Sequence, residues 1–487
     1  MKKGFDNKKY IKLQSKKIKE RFKLFDKLYL EIGGKLFDDY HASRVLPGFE
    51  ADVKINIFKE LKNDLEIIFC INANDIEKNK TRAEFGITYD IEVMRLIDSL
   101  VNLGFLINSV VITLYNNQKS VDKFINKLNQ HGIRTYIHTF TKGYPSDIDT
   151  IVSEEGYGIN EYIETTKKLV LVNAPGPGSG KLATCLSQLY HEHKRGINAG
   201  YAKFETFPVW NLALKHPVNV AYESATADLS DVNQIDSFHL AEYNITAVNY
   251  NRDLQTFPIL KAIINRITGK DIYKSPTDMG VNMIKDCIIN EDIINEAAKK
   301  EIVRRYYQEK VNYKMGLVNI DVPERIKVLM NELNIDENLL VTINKAIEKG
   351  NLTNKNVVAL KLSNKKIITG KETELLSAPS SLIINAMKVL SKIPDNINLL
   401  SPSVLEPIFK QRKNNKPLQL PEVMIALSIC SVTNPTIEKA LSNLKKLKNM
   451  EAHATYIVTN GDKKVLTELG IRLTCEDKFQ SVNLYYD

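Results

Sequence analysis

The stretch LVLVNAPGPGSGK at residues 169–181 joins an apolar run to a glycine-rich segment that ends in a lysine, and a helical pattern follows it. A strand, a glycine-rich turn and a helix N-terminus together form a phosphate site, because backbone N–H groups and the helix dipole point at the anion. Glycine allows the backbone to approach the ligand closely. We therefore predict a phosphate site in which Lys181 supplies positive charge and takes part in catalysis. Its backbone donors belong to Gly176, Gly178, Ser179 and Gly180.

The loop departs from the Walker A pattern G-x-x-x-x-G-K-[ST] at two positions. Pro175 replaces the first glycine, and Leu182 stands where the Mg²⁺-binding hydroxyl belongs. Residues 176–181 match the loop of adenylate-kinase-like enzymes, which continue with Gly-Thr after the lysine. Here the first hydroxyl after Lys181 is that of Thr184, which we take as a candidate cofactor ligand. The predicted cofactor is a nucleoside triphosphate with Mg²⁺. The alternative is a structural strand-to-helix turn with an exposed lysine.

Length and composition indicate a multi-domain globular protein of the cytoplasm. The chain has 487 residues, 43% hydrophobic and 26% charged, and five scattered cysteines without a C-x-x-C pair. Two to four domains follow from the usual ~150 residues per domain, and the cysteines favour reduced thiols over disulfides. Residues 1–23 carry ten basic and two acidic side chains, which is +8 of the net charge of +9. The remaining chain is nearly neutral, so a nucleic-acid partner is not expected, and no apolar run is long enough to span a membrane.

The first half of the chain alternates strand and helix patterns, which is typical of a parallel sheet covered by helices on both faces. Predicted strands cover 66–72, 109–114, 135–140, 168–173 and 219–223. Predicted helices cover 89–103, 121–131, 161–167 and 182–194. Ligands of such sheets bind at the carboxyl ends of the strands, where the loop at residues 176–181 is expected to lie.

Three domains are predicted along the chain. Residues 1–249 form the α/β phosphate-binding domain, and residues 250–322, with helical patterns at 256–268, 279–287 and 292–309, form a helical subdomain. Residues 323–487 form an α+β domain with a hairpin at 357–362 and 366–369. The fold class is therefore α/β, with a mainly parallel sheet and additional helical and α+β parts.

The segment GGKLFDDYHASRVLPGF at residues 33–49 concentrates charged side chains between turns. Lys35 and Arg44 are suited to clamp a phosphate or carboxylate of a substrate. His41, with Asp39, is a candidate for proton transfer in catalysis. The alternative is a solvated loop with ordinary surface charges.

Two further groups of polar residues follow predicted strands. Asn72 and Asp75 come after the strand at 66–72 and are candidate substrate ligands, although Asp75 is also suited to cap a helix. Glu223 and Asp228 come after the apolar run at 219–223 and are candidate Mg²⁺ ligands acting through water, as Walker B acids do. A helix cap or a salt bridge is the alternative for both acids.

Three other segments are weaker candidates. The glycine-punctuated loop at 153–162 is suited to be a lid or, alternatively, a turn before a helix. The sequence His191-Glu192-His193 lacks metal-site spacing, since alternate residues of a helix do not share a face, and we interpret it as an exposed helix end. Cys185 is expected to face the core, with activation by the helix N-terminus as the alternative.

Four segments together resemble an uncharacterised family of bacterial cytosolic proteins of about this length. They are FDDYHASRVLPGF at 37–49, APGPGSGK at 174–181, CLSQLYHEHKRG at 185–196 and AGYAKFETFP at 199–208. The resemblance covers the whole chain. It implies a multi-domain α/β protein of the bacterial cytosol with a P-loop-like segment, and it supplies no catalytic residues.

Two functions are compatible with these patterns. The first is a nucleotide- or phosphometabolite-dependent enzyme, such as a phosphotransferase, ligase or hydrolase, whose partner is a phosphate-bearing small molecule. The second is a non-enzymatic nucleotide sensor or scaffold, which the leucine at position 182 favours. Association of residues 1–23 with RNA or a membrane is a third and weaker hypothesis. A homo-oligomer is plausible for a cytosolic protein of this size.

Overall fold

A computed structural model describes residues 3–82, 86–411 and 416–481, which divide into two compact units. The first contains the chain up to Glu223 together with Ser230–Ala298. The second contains Ser224–Leu229 and the chain from Lys299 onward. The segment 250–322, predicted as a helical subdomain, is thus divided between the two units after Ala298.

The elements of the first unit alternate strands and helices over most of its length. Its strands are β1 (Lys27–Ile32), β2 (Leu65–Asn72), β3 (Thr81–Arg82), β4 (Ile87–Thr88), β5 (Ile107–Thr113), β6 (Arg134–Ile137), β7 (Leu169–Asn173), β8 (Ala199–Phe204), β9 (Asn233–Ile235) and β10 (Val248–Tyr250). Its helices are α1 (Asn7–Phe22), α2 (Tyr40–Val45), α3 (Val53–Lys59), α4 (Ala73–Glu77), α5 (Tyr89–Asn102), α6 (Lys119–Gln130), α7 (Ile148–Ile151), α8 (Lys181–Lys194), α9 (Pro217–Ala225), α10 (Ser237–Tyr243), α11 (Asn251–Thr268) and α12 (Pro276–Met279). Helix α9 passes into the second unit at Ser224, and helix α13 (Glu291–Lys314) also crosses the unit boundary.

Six parallel strands form the central sheet in the order β6-β5-β2-β7-β1-β8. After β2 the chain adds β5 and β6 on one side, whereas β7 and β8 lie on the other. The direction of winding therefore reverses between β2 and β7. In open α/β sheets, the crevice outside the strand ends at such a reversal is the usual ligand site.

Helices cover both faces of this sheet. On one face, α8 and α11 pack against Val170 and Val172 of β7, contributing Cys185 and Phe257 to a buried cluster. On the other face, Phe58 of α3 packs edge-on against Phe204. Because both faces are buried, β7 is apolar over four consecutive residues and lacks polar alternation.

Helix α1 carries most of the basic segment, of which residues 1 and 2 lie outside the described chain. It buries Tyr10, Ile18 and Phe22, while Ile11 is only half-buried. Its lysines lie mainly on the other faces. The segment therefore packs as a surface helix of the first unit, the arrangement that its apolar stripe predicts.

Several predicted elements differ in the structure. Residues 219–223 lie in α9, so the predicted strand there is wrong; a short apolar run does not distinguish a strand from a buried helix. The predicted helix at 161–167 is absent, and its backbone is held partly by Gln188, whose side-chain oxygen accepts the Ile163 N–H at 2.9 Å. The predicted helix at 279–287 is not formed: Met279 ends α12, and only Lys285–Cys287 form a short 3-10 turn. Strands β1 and β8 were not predicted.

The second unit is an α+β structure. Its strands are β11 (Val357–Lys361), β12 (Ile367–Lys371), β13 (Glu451–Ala454) and β14 (Arg472–Cys475). Its helices after α13 are α14 (Asp321–Glu332), α15 (Val341–Thr353), α16 (Ala378–Ser391), α17 (Pro402–Lys410), α18 (Leu420–Ser431), α19 (Pro435–Ser442) and α20 (Asn460–Glu468). The strand order is β12-β11-β13-β14, with β13 and β14 parallel and the other pairs antiparallel. The predicted hairpin is confirmed as β11 and β12.

Within the described parts of the chain, no helix is both long enough and apolar enough to cross a membrane.

Candidate functional site

The glycine-rich loop connects β7 to α8 at the carboxyl edge of the central sheet. Gly178 and Gly180 have positive φ angles of 75° and 86°, a conformation that L side chains rarely adopt. At Gly176 a Cβ atom would overlap the hydroxyl of Tyr89. Glycine is therefore required at these positions by backbone conformation or by close packing.

Side chains from neighbouring strand ends hold this loop in place. The amide nitrogen of Asn72, which ends β2, donates to the Gly178 carbonyl at 3.3 Å. The hydroxyl of Thr113, which ends β5, donates to the Ser179 carbonyl at 3.0 Å, and the Ser179 hydroxyl donates to the Gly176 carbonyl at 2.9 Å. Asn72 and Ser179 thus brace the loop through side-chain hydrogen bonds, and the loop is ordered by the sheet beneath it.

Helix α8 begins without a side-chain cap. Its N-cap residue is Gly180, which has no capping group. Among the residues that the structure describes, none accepts a hydrogen bond from the backbone N–H of Lys181, Leu182 or Ala183. Unpaired N–H groups and the positive end of the helix dipole favour an anion at this position.

Lys181 directs its ammonium group to the sheet edge. Its Nζ lies 3.9 Å from an Oε1 of Glu31 on β1, and the side chain is 15% exposed. Glu31 also accepts a hydrogen bond of 2.8 Å from the hydroxyl of Tyr201. The charge of Lys181 is therefore partly balanced by one carboxylate at the edge of the sheet.

A second set of charges lies beside Glu31. Lys203 of β8 is paired with Glu31 in the strand register, so their side chains share the α8 face of the sheet. The Nζ of Lys203 lies 2.9 Å from Glu205 and 3.0 Å from Asp253 at the start of α11. We call Glu31, Lys203, Glu205 and Asp253 the edge cluster.

Burial shapes the protonation of the edge cluster. It raises the pKa of Glu205 to about 7, with Lys203 opposing the shift and Asp253 adding to it. Burial disfavours the charged form of Lys203, but Asp253 and Glu205 raise its pKa above the usual value. At neutral pH the lysine is a cation, and the Glu205 carboxyl group is close to half protonated. A carboxyl group of this pKa is suited to accept or release a proton.

Two buried polar groups at the strand ends lack partners. Among the residues that the structure describes, the side-chain nitrogen of Asn173, the last residue of β7, and the hydroxyl of Thr206, just after β8, have no hydrogen-bond partner. Both residues are almost fully buried. Because buried polar groups are normally paired, these two sites have hydrogen-bonding capacity that the described protein atoms do not use.

The segment at residues 33–49 is more ordered than a solvated loop. Asp39 caps α2 by accepting from the Ala42 N–H and pairs at 3.1 Å with the buried Nζ of Lys54. Burial opposes its ionisation, but Lys54 and the Ala42 N–H lower the net pKa of Asp39 below its usual value. Asp39 is therefore a carboxylate with a structural partner, which does not favour it as a catalytic acid.

The other candidates of this segment have separate surroundings. His41 is buried and packs edge-on against Phe207 and Tyr222. The Lys35 carbonyl accepts a hydrogen bond of 2.7 Å from Lys54, and Arg44 lies half-buried on α2. The partners named here for His41 and Lys35 lie outside the glycine-rich loop.

Thr184, Cys185 and Asp75 have roles in the fold. Thr184 is fully buried, and its hydroxyl accepts a hydrogen bond from the Cys70 thiol at 3.3 Å. Burial raises the pKa of the Cys185 thiol well above its usual value, which opposes activation. Asp75 pairs with Lys80 at 3.3 Å near the surface. The hydroxyl predicted to bind a cofactor thus faces the interior.

The two predicted metal ligands are not on strand ends. Glu223 lies in α9, where its carboxylate accepts a hydrogen bond of 2.8 Å from the Asn233 side chain. Asp228 lies in a 3-10 turn of the second unit. With Leu182 at the hydroxyl position and Thr184 buried, the described residues do not match a P-loop Mg²⁺ site. The described chain also brings no three His, Cys, Asp or Glu side chains together as metal ligands.

The end of α8 is also different from the prediction. Glu192 is fully buried, and it accepts hydrogen bonds of 2.7 Å from Lys27 and from the hydroxyl of Tyr29. His191 is buried and its Nε2 lies 2.8 Å from the Asn160 carbonyl. The interpretation of this sequence as an exposed helix end is therefore wrong, because the helix packs against the loop at 160–165.

A cavity of about 610 Å³ lies in the second unit. Its lining includes Lys327, which pairs with Glu337 at 2.6 Å, and Tyr307, whose hydroxyl donates to Glu337 at 2.7 Å. None of the residues predicted from the sequence as site residues lines this cavity. The chemistry predicted from the sequence therefore lies elsewhere.

Sequence reasoning missed the edge cluster because it missed β1 and β8. The sequence AGYAKFE at 199–205 contains a short strand with a lysine and ends in a glutamate. Charged residues at the end of a strand beside a glycine-rich loop were the available signal. Asp253 belongs to the cluster only because α11 begins next to β8, which no local pattern indicates.

The fold and site define an α/β protein with a glycine-rich loop and a charged cluster at the carboxyl edge of a parallel sheet. The family described as "Domain of unknown function DUF1846, N-terminal" matches residues 3–334, and its C-terminal counterpart matches residues 338–485. The chain therefore belongs to this family, as its motifs predict. A UPF0371 protein of Clostridium botulinum (strain Alaska E43 / Type E3) is 52% identical over 501 residues, with 100% of both chains covered. A UPF0371 protein of Clostridium tetani (strain Massachusetts / E88) has the same identity and coverage.

Proposed function

We propose that this protein is a cytosolic enzyme that binds a phosphate-bearing small molecule at the glycine-rich loop and acts on it as a phosphotransferase, ligase or hydrolase. The observation that carries the proposal is the uncapped start of α8. Its first N–H groups have no acceptor among the described residues, and its first residue, Lys181, brings an ammonium group to the same edge of the sheet, 3.9 Å from Glu31. Such an arrangement favours a bound anion.

The chemistry follows from the surrounding charges. Backbone N–H groups of the loop would hold the phosphate oxygens, and Lys181 would stabilise negative charge that develops during reaction. Glu205 of the edge cluster, with a pKa of about 7, would accept or donate a proton at a part of the ligand that reaches the end of β8. The loop needs little reorganisation because Asn72 and Thr113 already hold it.

Thermal unfolding with added ligands tests the proposal. The panel contains inorganic phosphate, ATP with and without Mg²⁺, and sugar phosphates. A ligand at about 100 times its Kd adds about 2.7 kcal/mol to the free energy of unfolding. We expect a ligand-dependent rise in Tm that is lost in Lys181→Ala and kept in Lys123→Ala, which removes an exposed lysine of α6. A panel without any shift, or a shift that survives Lys181→Ala, would contradict the phosphate site.

A second candidate function is a non-enzymatic sensor of a phosphorylated effector. Leu182 at the usual hydroxyl position and the buried hydroxyl of Thr184 favour it, because neither side chain offers oxygen to a metal at the loop. Turnover separates the two functions. An enzyme consumes the stabilising ligand, whereas a sensor binds it and leaves it unchanged over hours.

Two further properties belong to the same proposal. Function in the cytosol is supported by the five cysteines, all of which are free thiols. Self-association of the chain would be tested by sedimentation at several protein concentrations, where a homo-oligomer would show a mass above 55.3 kDa.

A further inference from the structure

The charge balance at the sheet edge limits the kind of phosphate compound that fits there. Glu31, Glu205 and Asp253 contribute three carboxyl groups, against the two ammonium groups of Lys181 and Lys203. The guanidinium group of Arg252, which is next to Asp253 in the chain, pairs with Asp231 at 3.4 Å. Each of these lysines already has a carboxylate partner. The site therefore has little uncompensated positive charge beyond the uncapped helix end.

A nucleoside triphosphate carries several negative charges and normally brings Mg²⁺ to offset them. The loop lacks the hydroxyl group that would hold this ion, since position 182 is leucine and Thr184 faces the core. Carboxylates beside the loop would repel the additional phosphates. A single phosphate group matches the available donors better than a triphosphate chain.

Carboxylates are strong acceptors for hydroxyl groups, and charged hydrogen bonds are stronger than neutral ones. Glu205 and Asp253 lie about a fifth exposed, so a ligand can reach them. The glycine-rich loop follows β7, and Glu205 follows β8. These strands are separated by β1, so the two positions are roughly 10 Å apart across the sheet, which is two strand spacings.

We propose that the ligand of the glycine-rich loop is a phosphate monoester of a small polyol or sugar, and that Glu205 and Asp253 bind its hydroxyl groups. This inference rests on the proposed phosphate site and deepens it. The phosphate lies at the start of α8 next to Lys181. The carbon chain extends past Glu31 toward β8, and the hydroxyl groups donate to the carboxylates of the edge cluster.

The surroundings of Glu205 support this role. Gly33 packs so closely beneath it that a Cβ atom would overlap the glutamate side chain, which limits the positions that Glu205 can take. The ion pair with Lys203 orients the carboxyl group. Partial protonation near neutral pH allows the same group to accept from one hydroxyl and donate to another.

Calorimetric titration at pH 7.5 tests the inference with named probes. They are glycerol 3-phosphate, ribose 5-phosphate, glucose 6-phosphate, fructose 6-phosphate, inorganic phosphate and ATP with Mg²⁺. At least one polyol phosphate is expected to bind about tenfold more tightly than inorganic phosphate, because hydrogen bonds to charged groups are stronger than neutral ones. ATP with Mg²⁺ is expected to bind more weakly than that polyol phosphate.

Variants of the edge cluster test whether it causes the preference for a polyol phosphate over inorganic phosphate. Glu205→Gln is expected to lower the affinity for the polyol phosphate about tenfold without lowering the affinity for inorganic phosphate. Glu164→Gln, a change at an exposed glutamate, is the matched control and leaves both affinities unchanged. Asp253→Asn is the second variant if Glu205→Gln does not fold, and the same selective loss is expected from it.

The outcomes separate the inference from the proposed function. Binding of inorganic phosphate or ATP that depends on Lys181, with no polyol phosphate tighter than inorganic phosphate, would overturn the inference and leave the phosphate site intact. Equal losses for inorganic and polyol phosphate in Glu205→Gln would overturn it as well. Absence of any binding that depends on Lys181 would overturn both this inference and the proposed phosphate site.

Discussion

The ammonium group of Lys203 lies 2.9 Å from the carboxylate of Glu205, and the carboxylate of Asp253 lies 3.0 Å from the same ammonium group. The Lys203 ammonium group thus forms ion pairs with two carboxyl groups in a partly buried position. Burial raises the pKa of Glu205 to about 7, because the lysine does not fully offset desolvation and the nearby Asp253. This carboxyl group therefore stands at the same sheet edge as the proposed phosphate site, two strand positions away.

Glu205 is expected to make stability depend on pH between about 4.5 and 7. In this range the folded protein keeps a proton that the unfolded chain has lost, so the free energy of unfolding falls as pH rises. The slope is at most about 1.4 kcal/mol per pH unit, and it disappears above the folded pKa. Urea unfolding of wild type and Glu205→Gln at pH 5, 6 and 7 measures the effect.

We expect Glu205→Gln to gain stability relative to wild type as pH rises from 5 to 7. The variant Glu164→Gln, at an exposed position, serves as the control and should follow the wild-type curve. A constant difference between Glu205→Gln and wild type at all three pH values would show that Glu205 does not titrate in this range.

Alanine substitutions in the glycine-rich loop are expected to separate stability from binding. Gly178 and Gly132 both have positive φ angles and open space at the Cβ position. Each change to alanine is expected to cost about 1–2 kcal/mol of stability, the penalty of left-handed backbone. Only Gly178→Ala should weaken phosphate binding, because Gly132 lies at the end of α6. Equal effects of both variants on ligand-induced Tm shifts would contradict this.

Gly180→Ala is expected to be more damaging than Gly178→Ala. Its Cβ would lie 2.7 Å from a methyl carbon of Thr113, in addition to the strain of its φ of 86°. Thr113 itself braces the loop through the Ser179 carbonyl. Urea unfolding should show the larger loss of stability for Gly180→Ala, and equal losses would mean that Thr113 moves away without cost.

The buried pair of Lys27 and Glu192 is expected to contribute strongly to stability. Glu192 is fully buried, and Lys27→Met would leave its carboxylate without its cation, which costs about 3–5 kcal/mol for buried pairs. Lys194→Met removes an exposed partner of Glu154 and should cost less than about 1 kcal/mol. Denaturant unfolding compares the two variants, and similar losses would contradict a structural role of the buried pair.

Thiol reactivity is expected to be confined to one cysteine in the folded protein. Burial raises the pKa of Cys70 and Cys287 to about 12 and that of Cys475 to about 11, and Cys185 is also shifted upward. Because the thiolate is the reactive form, Ellman's reagent at pH 8 should react quickly with Cys430, which is half-buried. All five thiols should react in denaturant. The fast phase should be absent in Cys430→Ser; if it persists, another thiol is accessible.

The parts of the fold predicted correctly have strong local signals. Strand β7, the loop after it and helix α8 follow directly from an apolar run, glycines and a helical pattern. The hairpin of β11 and β12 was indicated by two apolar runs around a short turn. These features depend on neighbouring residues in the chain, so local periodicity and turn chemistry predict them.

The errors occur where burial depends on distant partners. A strand is predicted at residues 219–223 because a short apolar run fits either a strand or a buried helix. Glu192 is predicted to be exposed because its partners, Lys27 and Tyr29, belong to a strand more than 160 residues away in the chain. Thr184 is predicted to bind a cofactor because no neighbouring residue in the chain indicates that its side chain faces Cys70.

The sequence by itself determined the α/β class, the position of the glycine-rich loop and the helix that follows it, because these depend on contacts within a few residues. Only the tertiary structure decided which charges surround that loop. The order β7-β1-β8 places Glu31 and Lys203 side by side, and the start of α11 adds Asp253. Strand order and helix packing join residues that are far apart in the chain, and no local pattern contains that information.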